Sequence, residues 1–192
     1  MGEQPALQEA QLPQQRARRE GITRVAVSGF KSISQRQEIE IRPLTLLAGV
    51  NSSGKSSMMQ PLLLLKQTLE ASYDPGPLLL NGPNAKFTSA EQVLSCVGKS
   101  KRTDGFQVQV GGMFFDVHAG YRFFDTTFDF GHQPGKGFEI RRTVYADEVR
   151  EITLRPGMTR GEIVAEIAEA EYDESWAILR ERCFLKAMLW PN

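Results

Sequence analysis

LTLLAGVNSSGKSSMMQPLLLLKQTLE, residues 44–70, decides how this chain is read. Its first six residues are almost continuously apolar and end in Gly49. That pattern predicts a short central strand of a parallel sheet, buried on both faces. Gly49-Val50-Asn51-Ser52-Ser53-Gly54-Lys55-Ser56 then fits G-x-x-x-x-G-K-[ST] without a mismatch. A long helical segment is expected from about Gly54 to Ser72.

The spacing has a chemical reason. Glycines let a loop curl until successive backbone N–H groups point inward at phosphate oxygens. Asn51, Ser52, Ser53 and Ser57 are counted with the glycines, Lys55 and Ser56 as nucleotide-binding candidates. The helix opening near Gly54 contributes its unpaired N–H groups and its positive dipole end. Lys55 is placed to reach the β- and γ-phosphates as a compact charge. The Ser56 hydroxyl is placed to bind Mg²⁺. The bland alternative is a Gly/Ser-rich turn capping an ordinary helix. Pro61 lies about two turns into that helix and predicts a kink or a restart. Met58, Leu62, Leu65 and Leu69 form the expected buried stripe, and Lys66 and Glu70 an i, i+4 pair.

The rest of the chain is organised around this segment. Residues 1–20 are rich in Gln, Ala and Arg and read as a flexible tail. Arg16, Arg18 and Arg19 lie in it, as a solvated cluster or as phosphate contacts. In ITRVAVSGF, Ile22, Val25 and Val27 alternate as a strand with one slip. SISQRQEIEIRP predicts a second strand with Ile39 and Ile41 on one face, closed by Pro43. Pro75, Gly76, Pro77, Gly82 and Pro83 force turns. FTSAEQVLS reads as one or two helical turns, N-capped by Thr88 or Ser89, with Glu91 in the first turn. Residues 21–100 are therefore taken as a nucleotide-binding lobe. From Phe106 to Leu154 the alternation of Phe and Val with polar residues predicts antiparallel hairpins, a β-rich block over 101–155. Residues 156–192 read as helical, from Ile163, Ile167 and Ala170 and from Tyr172, Trp176, Leu179 and Cys183.

Bulk properties exclude some classes. Lys plus Arg and Asp plus Glu are 23 each, so no global field draws the chain to nucleic acid or an anionic membrane. Cys96 and Cys183 have no metal-type spacing and fit a reducing cytosol. No signal-peptide pattern and no bilayer-length apolar run occur, so a cytoplasmic protein without a membrane span is expected.

The residues carry a family resemblance. A strand, Gly29-Phe30-Lys31-Ser32, a second strand, Pro43-Leu44-Thr45-Leu46-Leu47-Ala48-Gly49 and then the loop with Asn51 resemble the N-terminal half of the ABC-type ATPase heads of the SMC and RecF class. The resemblance extends to the bacterial AAA-family ATPases of the OLD (overcoming lysogenization defect) group. It covers roughly residues 21–95, with Gly29 where that group usually has Asn. It implies an α/β P-loop ATPase lobe on a mixed sheet, fused to an antiparallel β-rich subdomain; after about residue 155 no motif of the family is found, and the C-terminal helical segment is read from periodicity alone. It also implies ATP and Mg²⁺ as ligands, and a second head or companion chain that completes a nucleotide sandwich. DNA maintenance or phage defence is the implied setting, although nothing in the residues themselves reads nucleic acid. By the same resemblance Gln92 is the Q-loop glutamine, or else a solvent-facing helix residue. Lys31 is near the nucleotide, or else a surface lysine at a turn.

Several parts of such an ATPase are not found. No signature loop and no switch histidine after a Walker B strand can be placed. Thr143-Val144-Tyr145-Ala146-Asp147-Glu148 mimics Walker B, but Arg141 and Arg142 precede it, and a half-exposed hairpin explains it better. His118 and His132 fall before it and read as ordinary strand or turn residues, and Asp125 and Asp129 as structural. The D-x-x-G and N-K-x-D elements of small GTPases are not present. Phe184, Leu185, Met188, Leu189 and Trp190 crowd the last residues, which predicts either that they pack onto the sheet or that they led into a further segment, and the chain is expected to be the N-terminal lobe of a larger or split ATPase, or a shortened relative. A non-hydrolysing, nucleotide-dependent interaction module is the rival reading, and a small-molecule kinase the weaker one.

Overall fold

A computed structural model describes residues 20–51, 53–98, 101–118, 120–167 and 175–190. The Arg16–Arg19 tail, Ser52, Ala170, Tyr172 and the Trp176 side chain lie outside what is described. In chain order the elements are β1 (Gly21–Ser28), β2 (Gln37–Glu40), α1 (Lys55–Glu70), a 3₁₀ turn (Ala90–Gln92), β3 (Cys96–Val97) and β4 (Lys101–Arg102). There follow β5 (Gly105–Asp116), β6 (Gly120–Gln133), β7 (Gly137–Ala146), β8 (Glu151–Leu154), α2 (Arg160–Ile167), β9 (Ser175–Glu181) and β10 (Phe184–Trp190). The fold is mixed α/β. One six-stranded sheet, ordered β2-β1-β5-β6-β7-β8, dominates it, and every pairing in that sheet is antiparallel.

Alternation builds this sheet. Val25 stands opposite Val110, Val27 opposite Val108, and Val108 opposite Phe128, so one face is apolar across three strands. The slip read at the start of β1 is a bulge, where the register shifts between Ile22 and Arg24. Phe106, Phe128, Phe130, Phe138 and Ile140 extend the apolar face, and Met58, Leu64 and Leu65 of α1 belong to the same core. At one end of the opposite face lie Met113, Phe115, Tyr121 and Phe123, and its middle is polar. There Asp125 pairs with Arg24, and Asp129 lies 3.1 Å from Arg142 and accepts from Gln107 at 2.9 Å.

Helix α1 runs unbroken through Pro61, with no restart. Its buried residues are Ser57, Met58, Pro61, Leu64, Leu65, Gln67 and Thr68, whereas Leu69 is exposed. The stripe is thus shifted from the expected one, because two polar residues are satisfied inside it. The Gln67 amide donates to Leu79 O and Ala85 O, and its oxygen accepts from the Asn84 and Ala85 amides. Thr68 donates to Leu64 O and accepts from the Leu79 amide. These bonds fasten the turn-rich 79–85 segment to the helix.

Two expectations are corrected. Leu44–Gly49 is not a strand, and its side chains are not buried: Leu44 is 77% and Leu46 81% exposed. A strand buried on both faces needs hydrogen-bonded neighbours on both edges. The sheet offers no such slot: β1 is already flanked by β2 and β5, the outer edges of β2 and β8 could pair one side at most, and the chain leaves β2 through Pro43, which has no N–H to give. Among the described residues the C-terminal segment is helical over Arg160–Ile167, and β9 and β10 form an antiparallel hairpin where helix was expected. Phe184, Leu185 and Ala187 turn this hairpin onto the core, and the Tyr145 hydroxyl donates to Leu185 O at 2.8 Å.

Gly29 is required by geometry. Its φ is +74°, and an added Cβ would lie 2.5 Å from Gly105 O on β5. The residue that the resemblance leads one to expect there, Asn, does not fit this close approach. Gly29→Asn is expected to destabilise the fold by about 2 kcal/mol or more, from strain and displacement of β5. A urea midpoint equal to the parent's would refute this.

Burial, followed by the field of Cys183, pushes the Tyr145 phenol up to about 12 from 10.0. The folded-state value lies above the unfolded one. Its stabilisation is therefore complete below pH 10.0 and is lost as pH rises through about 12. Urea midpoints measured across that window should fall, and should fall less in Tyr145→Phe. The Cys183 thiol, pushed up to about 11 by burial, adds a loss of the same sign.

Candidate functional site

Three segments converge on one polar cavity of about 430 Å³. The turn after β1 brings Lys31 and Ser32. The glycine-rich loop brings Asn51, Ser53 and Gly54. The first turn of α1 brings Lys55, Ser56 and Ser57. Ser52, the remaining expected loop residue, lies outside what is described.

The loop has the conformation its glycines permit. Gly49 has φ +154° and Gly54 φ +94°. A Cβ on Gly49 would lie 2.7 Å from Ser53 Oγ, and one on Gly54 3.2 Å from Ser32 Oγ. Lys55 curls back over the loop, donating to Gly49 O and Val50 O at 2.7 Å each, with Ser53 Oγ at 3.4 Å. Gly54 caps α1 in the left-handed conformation and makes no side-chain cap bond. The first helical bond from the Gly54 carbonyl goes to the Met58 amide. The helical pattern therefore leaves the amides of Lys55, Ser56 and Ser57 at the open end of α1, on the cavity side.

Lys31 is brought to the same place by a separate device. The turn is closed by Phe30 N–H to Ile33 O (3.0 Å), Ile33 N–H to Phe30 O (2.8 Å) and Lys31 N–H to Val93 O (2.8 Å). These bonds hold Lys31 at φ 49°, a left-handed conformation that a non-glycine residue rarely adopts. Its ammonium donates to Gln60 Oε1 at 3.1 Å and lies 5.2 Å from the centre of the Phe87 ring. Ser32 Oγ is 2.9 Å from Ser57 Oγ, which ties this turn to α1. Ser32 and Gln60 were not singled out from sequence. The only cue for Ser32 was its place next to Lys31 in the Gly29–Ser32 turn.

Gln92 lies elsewhere. Its amide donates to Thr88 Oγ1 and its oxygen accepts from the Thr88 amide, so it closes its own turn. It does not line the cavity. Asp147 follows the last residue of β7, an antiparallel strand, and accepts from the Val149 and Arg150 amides at 2.8 and 2.9 Å. Those two bonds hold its carboxyl below the usual carboxylate range. It caps the β7–β8 turn. His132 lies 3.5 Å from Glu91 and packs against Phe138, while His118 is in the turn after β5.

A second cavity, about 530 Å³, lies between α1 and the sheet and is walled mainly by apolar side chains such as Leu62, Leu65, Phe124 and Phe128. It has no convergent set of polar groups. Among the described residues no cluster of three or more His, Cys, Asp or Glu side chains is placed to hold a metal, and no helix is long and apolar enough to cross a membrane.

No protein-family model matches the chain, and no curated protein matches it.

Because Gln92 serves its own turn, Gln92→Ala should change the affinity of any ligand titrated into the cavity by less than about twofold. A tenfold loss in a calorimetric titration would return it to the site.

Proposed function

We propose that the chain binds Mg·ATP through this cavity, as the phosphate-gripping portion of an ABC- or SMC-like P-loop ATPase. The observation that carries the reading is the Gly49–Ser56 loop, which opens a 16-residue helix and sets Lys55 and Ser56 beside a polar cavity. Triphosphate oxygens would take the place of the carbonyls and hydroxyl that Lys55 now meets, and the α1 amides would complete the grip. The Ser56 hydroxyl is a hard oxygen donor suited to Mg²⁺, whose other ligands would be phosphate oxygens and water. That arrangement needs no cluster of carboxylates. Magnesium, when bound, neutralises phosphate charge; the protein's own residues orient the chain.

The reading includes a partner. Leu44, Leu46, Leu47 and Val50 leave an apolar surface beside the loop, and exposed apolar surface next to a ligand site is typical of a covered interface. A second head or a companion chain would cover it, in a cytoplasmic setting. A role alongside DNA belongs to the family resemblance alone.

A specific observation favours the rival, non-hydrolysing module. Asp147 and Glu148 sit in a tight turn, where Asp147 is spent on backbone amides, so they do not offer the pair that polarises an attacking water. Binding and turnover assays on the same preparation separate the two. Mg²⁺-dependent ATP binding should be lost in Lys55→Ala, by at least about a hundredfold, and unchanged affinity would sink the proposal. Phosphate release by the isolated chain should be negligible; steady turnover would exclude the module and place the hydrolytic groups within this chain.

A further inference from the structure

We propose that this site reads the phosphate chain of its ligand and ignores the base, so that ATP, GTP and inorganic tripolyphosphate are bound alike. The proposal rests on the reading of the loop as a phosphate site and specifies its ligand class.

The chemistry of the lining carries it. The described walls present two ammonium groups, four serine hydroxyls and one carboxamide, with Gly54 between them. The ammonium groups and hydroxyls are partners of phosphate oxygens, and the Asn51 carboxamide, in the loop itself, is the one lining group with a paired donor and acceptor. Both ammonium groups are held by neutral acceptors: Lys55 by two carbonyls and a hydroxyl, Lys31 by the Gln60 carboxamide. Neither meets a carboxylate, and the described lining holds no acidic side chain, so the walls carry a net positive charge that suits a polyanion. Lys31 supports this further. Its backbone is strained, and three backbone bonds over-determine the turn, so a fixed cation at that spot is being maintained against a conformational cost.

Base recognition needs a free ring face or a matched donor–acceptor pair at a set distance from the phosphates. Phe87 is the aromatic ring beside Lys31. It is only 8% exposed, Phe30 packs edge-on against it, and the Lys31 ammonium lies 5.2 Å from its centre, so it is not free to stack on a base. Leu46 and Val50 are exposed outside the cavity, and apolar contact of that kind distinguishes adenine from guanine poorly.

The test is isothermal titration of the full chain with the three ligands, at fixed ionic strength and excess Mg²⁺. The three dissociation constants should agree within about fivefold. A preference beyond that, for ATP over GTP or for either nucleotide over tripolyphosphate, overturns base-blindness and leaves the phosphate site standing. Failure of all three to bind at millimolar concentration overturns the phosphate reading as well. Lys31→Gln should weaken all three by the same factor, about tenfold. A loss confined to the nucleotides, or no loss at all, would overturn the assignment of Lys31 to the phosphate chain, and the parent's ligand comparison stands even if that variant fails to fold.

Discussion

Phe30 meets three parts of the chain at once. Its ring is fully buried, edge-on to Phe106 at 5.2 Å and to Phe87 at 6.3 Å, and Phe106 in turn stacks on Phe130 at 5.0 Å. Burying one such side chain is worth roughly 1.5–3 kcal/mol, and edge-on partners add to that. The same residue exchanges backbone bonds with Ile33, and the turn so formed brings Lys31 and Ser32 into the lining of the cavity. Gly29 makes the arrangement possible by letting β5 come close. Ser95 N–H and Thr103 Oγ1 both donate to the Gly29 carbonyl, at 2.9 and 3.0 Å. The polar cavity is therefore a product of the apolar core. A packing fault at Phe30 would be felt as a misplaced cation.

Strands with strict alternation were legible in the sequence. β5, β6 and β7 each set large apolar residues against polar ones, and only an antiparallel sheet with one dry face accommodates that. Even the bulge in β1 showed as a break in the pattern at Thr23 and Arg24. The hairpin of β9 and β10 was not legible. Trp176, Leu179 and Cys183 have helical spacing, and the reversal at Arg182–Cys183 carries none of the usual turn residues. Arg182 itself takes φ 55°, a conformation in which glycine or asparagine would have announced the turn. Leu44–Gly49 misled for the opposite reason. Its composition is that of a central strand, but composition does not supply hydrogen-bonding neighbours.

The site divides along the same line. Gly49, Asn51, Ser53, Gly54, Lys55, Ser56 and Ser57 are contiguous, so local spacing was enough to find them. Lys31 and Ser32 come from a separate turn that precedes the loop and reach the cavity only through Phe30. The resemblance pointed to Lys31, and Ser32 became visible only through its contact with Ser57. Gln92 stands apart from the cavity lining. The side chain is committed to Thr88, and a sequence cannot display a bond made within its own turn.

The two thiols differ as much as two thiols can. Cys96 is exposed on β3, and Cys183 is sealed at the tip of the β9–β10 hairpin, with its thiol held protonated by burial. Reaction with an alkylating agent requires thiolate and access, and Cys183 has neither while the hairpin is seated. Its labelling rate therefore reports one event, the lifting of that hairpin from the sheet. The protein carries its own clock for local opening.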